Sequence, residues 1–88
     1  MPELARFLGL IVRMQYHDVG RHNKPHVHVV YGEFTASVGI DGELLEGTLP
    51  ARQLRLLQGW LALHEEALYG AWNRAVRGED PGRIAPLG

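Results

Sequence analysis

Cysteine is absent from this 88-residue sequence. Its absence excludes a disulfide framework and any thiolate metal centre. Long apolar runs are absent as well: the longest, Phe7–Val12, still includes Gly9. A membrane-spanning helix needs about 20 apolar residues, so none is expected. The start, Met1-Pro2-Glu3, lacks the basic region and apolar stretch of a secretory signal. A cytoplasmic location is the resulting expectation. No excess of one charge exists either, because nine bases face ten acids for a net charge of −1. That is unlike the strongly basic balance of a duplex-DNA binder. The sequence has no phosphate-cradling glycine loop, nucleophile elbow, His-Glu-x-x-His or dinucleotide fingerprint. Nothing in it implies a cofactor.

What is present is an ordinary globular composition, 45% hydrophobic and 22% charged. The length suits a single domain over residues 1–88 with one modest core. Charge is unevenly spread. Residues 1–31 hold Arg6, Arg13, Arg21 and Lys24 against Glu3 and Asp18, together with His17, His22, His26 and His28. Residues 32–47 hold Glu33, Asp41, Glu43 and Glu46 and no base. These acids solubilise the segment and deter edge-to-edge strand pairing.

The first half reads as strands within residues 8–46. Leu8–Tyr16 starts as a continuous apolar run and ends alternating, as a largely buried strand does. His17–Pro25 is rich in turn formers and reads as an exposed loop. His26–Tyr31 and Phe34–Ile40 are rich in β-branched and aromatic residues, and Gly32-Glu33 between them fits a two-residue hairpin turn. Asp41-Gly42 signals another turn, followed by a short strand near Glu43–Glu46.

The second half reads as one long helix over about residues 50–77, followed by a tail over 78–88. Pro50 suits its first turn, and Thr48 is a candidate cap. Leu54, Leu57, Leu61, His64, Leu68, Ala71 and Ala75 recur at steps of three and four, and Trp60, Leu63, Ala67 and Trp72 widen that face. Gly78 and Pro81 end the helix. The expected fold is α+β: a three- to four-stranded antiparallel β-meander with one long C-terminal α-helix packed on one face. The helix's apolar face is wider than one small sheet buries, which points to a homodimer. Trp60 and Trp72 are read as core or dimer contacts, and Arg52 and Arg55 as a solvated face.

Strand alternation decides where the histidines point. With Gly32 and Glu33 as the turn, Tyr31 pairs with Phe34, Val29 with Ala36 and Val27 with Val38. These residues form the core face. His26 and His28 then lie on the other face with Thr35 and Ser37, joined by Arg13 and Gln15 from the first strand. Three readings of the His-x-His pair stay open. One is a metal pair completed by His22, His17 or Asp18, since imidazole is a common metal ligand. Another is general acid–base chemistry on an RNA phosphate, with His26 and His28 as base and acid and Arg13 or Lys24 stabilising charge. The third is a polar binding face that contacts a partner or solvent, with His22, Lys24, Ser37 and Gln15 as binding residues. His64, within the helix stripe, is read as a core histidine with one ring nitrogen hydrogen-bonded, on the opposite side of the sheet.

Several segments together resemble a known family, the domain of unknown function 4160. They are Met1-Pro2-Glu3, Arg6-Phe7-Leu8-Gly9, Ile11-Val12-Arg13-Met14, and His22-Asn23-Lys24-Pro25-His26-Val27-His28 with its sequel Tyr31-Gly32-Glu33. Leu45-Glu46-Gly47, Leu49-Pro50, Trp60 with Leu63-His64, and the Ile84/Pro86-Leu87 tail match too. The sequence departs from the family in a longer Asp18–His22 loop and in Val27, where an aromatic residue is customary. The resemblance implies a small prokaryotic intracellular protein. It also implies a toxin–antitoxin-like pairing with a protein partner encoded nearby, and it supplies no established catalytic residues. The expectation is therefore a protein-interaction module. The alternatives are a metal-independent ribonuclease-type toxin using His26 and His28, and a His-x-His metal-binding protein.

Overall fold

Leu8 and Gly9 both take positive φ, 49° and 82°, which is the backbone of a two-residue hairpin turn. That turn divides the first apolar run into two strands, β1 (Glu3–Phe7) and β2 (Leu10–Arg13). The computed structural model describes residues 2–14 and 24–87. Within them follow β3 (His26–Tyr31), β4 (Phe34–Gly39), β5 (Leu44–Gly47), α1 (Ala51–Leu63) and α2 (Glu65–Val76). The sheet is an antiparallel meander of five strands in the order β1-β2-β3-β4-β5. The α+β class agrees with the sequence reading, while the expected three to four strands become five.

The extra strand is β1. Its alternation is broken by a bulge between Glu3 and Ala5, and this conceals it in the sequence. The β3–β4 register matches the expectation, with Tyr31 opposite Phe34, Val29 opposite Ala36 and Val27 opposite Val38. Gly47 closes β5 with φ +79°. A Cβ there would lie 2.2 Å from the Thr35 carbonyl oxygen, so no side chain fits.

The expected single helix is also corrected. It breaks at His64, whose φ of −112° leaves the helical range. Hydrogen bonds still bridge the break, from His64 N–H to Trp60 and from Leu68 N–H to His64. Pro50 itself caps α1, and no side chain bonds the first turn. The Thr48 amide is instead donated to Thr35. At the other end, Gly78 (φ +78°) follows α2. Its N–H donates to Ala75, and the Glu79 N–H donates to Arg74. This paired bonding satisfies the last carbonyls of the helix.

One sheet face and the helices make the core. Ala5, Phe7, Leu10, Val12, Val27, Val29, Ala36 and Val38 are buried with Leu57, Trp60, Leu61, Leu68, Ala71 and Ala75. Trp60 stacks on Phe7 with ring centroids 5.1 Å apart. Its indole N–H donates to the Ala85 carbonyl at 2.8 Å. The Ile84 N–H in turn donates to Leu4, so the tail covers the β1 edge. No helix among the described residues is long and apolar enough to cross a membrane.

Candidate functional site

The second sheet face carries the site. Register aligns Glu3, Arg13, His28, Ser37 and Glu46 across β1 to β5 in one continuous row. Directly opposed residues in such a ladder have Cα atoms about 4.5–5.5 Å apart, so their side chains are neighbours. A second row, Arg6, Ile11, Val30 and Thr35, runs beside it. Arg13, His28, Ile11 and Val30 are half-buried, whereas Ser37 is buried. The apolar pair Ile11–Val30 therefore lies next to the polar trio Arg13–His28–Ser37.

Two expected members sit elsewhere. His26 opposes Gly39 and keeps the parity of His28, but it is only 1% exposed. Its Nδ1–H donates to the Lys24 carbonyl at 2.9 Å. Its ring lies 5.2 Å from that of Trp72. The expectation that both imidazoles share an open face is therefore corrected. His26 begins β3 at the end of the sheet, where the indole of α2 reaches it, and His28 lies further along the strand. Lys24 is engaged by acids of its own chain rather than turned toward a substrate phosphate. Its ammonium binds Asp41 Oδ2 at 2.7 Å and also the Glu43 carboxylate. The hydrogen bond to Asp41 is the main cause of a raised Lys24 pKa, and the same bond holds the Asp41 carboxyl below its ordinary range.

His22 and Gln15 lie outside the described residues, as do His17 and Asp18. Among the described residues, no three histidine, aspartate or glutamate side chains come together as a metal group. His64 is half-buried and stacks on Trp60, with centroids 5.5 Å apart, on the core side of the sheet as expected. Among the described residues no hydrogen bond of its ring accompanies that contact, contrary to the expected satisfied nitrogen.

Glu3 and Glu46 are the members the sequence did not flag. Glu46 opposes Ser37 only because Leu45 bulges out of register between Ser37 and Val38. Glu3 belongs to the strand that the sequence conceals. Its carboxyl receives Arg6 at 2.8 Å and Arg83 at 3.4 Å. Its pKa is lowered, chiefly by the Arg6 hydrogen bond, with smaller contributions from the charges of Arg83 and Arg13.

A family model described as domain of unknown function (DUF4160) matches residues 9–73, which include the histidine motif, both central strands and most of the helical region. The chain belongs to the DUF4160 family. In DUF4160 terms, the match covers β2 to β5, α1 and most of α2, and it leaves out β1 with Glu3 and the tail. Four of the five row positions therefore lie within the DUF4160 region. No curated protein and no solved structure matches the chain.

Proposed function

We propose that the protein is an interaction module of a toxin–antitoxin-like pair, and that its second sheet face receives a protein partner encoded nearby. One observation carries this reading. The buried helix residues join the core on the first face. The second face keeps Ile11 and Val30 half-buried beside Arg13, His28 and Ser37. A mixed apolar and polar surface of this kind suits a protein interface better than a purely solvated one. The separation of His26 from His28 by burial counts against a mechanism that needs both imidazoles at one substrate.

The test is co-expression with the product of the neighbouring gene. The wild-type chain retains that product through purification, and Arg13→Glu releases it while circular dichroism stays unchanged. A wild-type chain that retains nothing overturns the reading. Induced expression of wild type and His28→Ala supplies the second arm. Growth arrest with loss of bulk RNA, abolished only in His28→Ala, replaces the interaction module with a ribonuclease. Size-exclusion of the chain alone addresses the homodimer expectation.

A further inference from the structure

The side of the helices turned away from the sheet carries a second stripe. Arg52, Arg55, Gly59, Ala62, Glu66 and Tyr69 recur at alternating steps of three and four, and all are exposed. Hydrogen bonds from His64 N–H to Trp60 and from Leu68 N–H to His64 carry this spacing across the helix break. Such spacing forms a seam along which another helix packs. Leu63 beside it is 68% exposed and lines an open groove with Glu66 and Tyr69. Trp60 and Trp72, in contrast, are buried in the chain's own core and take no part in this seam.

Gly59 has no explanation within the single chain. Glycine weakens a helix interior relative to alanine. A Cβ built at Gly59 meets nothing within 4 Å, so packing inside the chain does not call for glycine there. Close approach of a second backbone at Gly59 and Ala62 does call for it.

Charge selects the occupant. Arg52 and Arg55 stand at one end of the seam and Glu66 towards the other, and none of the three forms an ion pair among the described residues. Two such seams laid antiparallel about a two-fold axis set Arg55 of each copy against Glu66 of the other, Arg52 against Tyr69, and Gly59 against Ala62. Each layer is complementary: an ion pair, a guanidinium against an aromatic ring, and a contact of small residues. Parallel pairing sets Arg52, Arg55 and Glu66 each against its own kind. Sliding the antiparallel pair by one heptad leaves Arg55 and Glu66 without an opposite charge.

We infer that a second copy of the chain occupies this face, packed antiparallel with Arg55 of each copy on Glu66 of the other. The helices cover the first sheet face, so pairing through their outer side leaves the second sheet face of both copies uncovered. The two surfaces are therefore independent.

The experiment is sedimentation equilibrium of the full chain at several concentrations in low salt. Wild type is expected to form a dimer whose dissociation constant rises with added sodium chloride. Arg55→Glu and Glu66→Arg each place like charges opposite one another twice across the two-fold axis. Each is expected to raise the dissociation constant by at least about tenfold. Both positions are exposed, and circular dichroism of each variant should match wild type. An equimolar mixture of the two variants is expected to recover the dimer, because each opposed pair is then oppositely charged. The double variant Arg55→Glu/Glu66→Arg recovers it as well. A wild type that stays monomeric at the highest concentration overturns the inference. A dimer that neither substitution weakens also overturns it, as do two weakened variants that fail to pair when mixed. A monomeric wild type that retains the neighbouring gene product, and loses it in Arg55→Glu, assigns the face to a foreign partner and overturns the inference too.

Discussion

The imidazole of His26 packs against the indole of Trp72, with centroids 5.2 Å apart and planes tilted by 51°. This contact ties the start of β3 to α2 and gives the two motif histidines different tasks. His26 is buried and hydrogen-bonded to the Lys24 carbonyl, whereas His28 is half-exposed in the polar row.

Replacing each histidine separates these tasks. His26→Ala removes a buried ring and a hydrogen bond, and is expected to destabilise the fold by about 2–4 kcal/mol. His28→Ala is expected to cost under about 1 kcal/mol, since its ring is half in solvent. Urea denaturation of both variants checks this. A His26→Ala midpoint equal to that of wild type, at unchanged slope, contradicts the assigned role.

Leu8 holds a left-handed backbone conformation at φ 49° while 53% exposed. A branched side chain in that region costs roughly 1 kcal/mol. Leu8→Asn creates Asn-Gly, the dipeptide preferred in this turn. The expected gain is about 0.5–1 kcal/mol, read as a higher melting temperature. A lower one shows that the exposed leucine makes a contact worth more than its strain.

Trp60→Phe tests the tail. The smaller ring fills less of a fully buried site and cannot donate to the Ala85 carbonyl. The expected cost is about 2–3 kcal/mol. More specifically, the Ile84 amide, which donates to Leu4, should lose hydrogen-exchange protection more than the β3–β4 amides do. Equal loss across the sheet contradicts a separately anchored tail.

The cluster of Lys24, Asp41 and Glu43 gives a pH signature. The folded-state pKa of Asp41 lies below its ordinary 3.8. Its stabilisation is complete above that value and is lost as pH falls through the lowered one. The folded-state pKa of Lys24 lies above its ordinary 10.5, so its contribution is complete below that value and is lost as pH rises through the raised one. All three groups are at the surface, so both effects are small and shrink with salt. Melting temperatures of wild type and Lys24→Met should converge below pH 3.8 and run parallel in mid-range. Curves that stay apart below the acid limb show that Lys24 acts through something other than this pairing.

Much of the fold is legible in the sequence because its determinants are local. Gly32-Glu33 sets the register of β3 against β4 and so places His28 opposite Ser37, whereas Arg13 joins the row through the separate β2–β3 register. What stays hidden depends on tertiary context. The Leu8–Gly9 turn sits inside an apolar run that reads equally well as one strand. The bulge after Glu3 breaks the alternation that would have announced β1. Parity assigns His26 correctly within its strand, but it says nothing about Trp72, which arrives from 46 residues further along the chain and buries it. The burial of a strand's first residue is set by what lies beyond the sheet's end, and no periodicity encodes that.

The bond from Trp60 to the Ala85 carbonyl also bears on the timing of synthesis. The central aromatic residue of the core is translated well before the group that satisfies its indole. Until residues 84 and 85 have left the ribosome, that nitrogen lacks its acceptor and Leu4 lacks the amide that covers the first strand. The sheet can assemble earlier, but the nascent chain carries an open outer strand through most of its emergence. Closure of that first strand therefore waits for residues 84 and 85 to emerge.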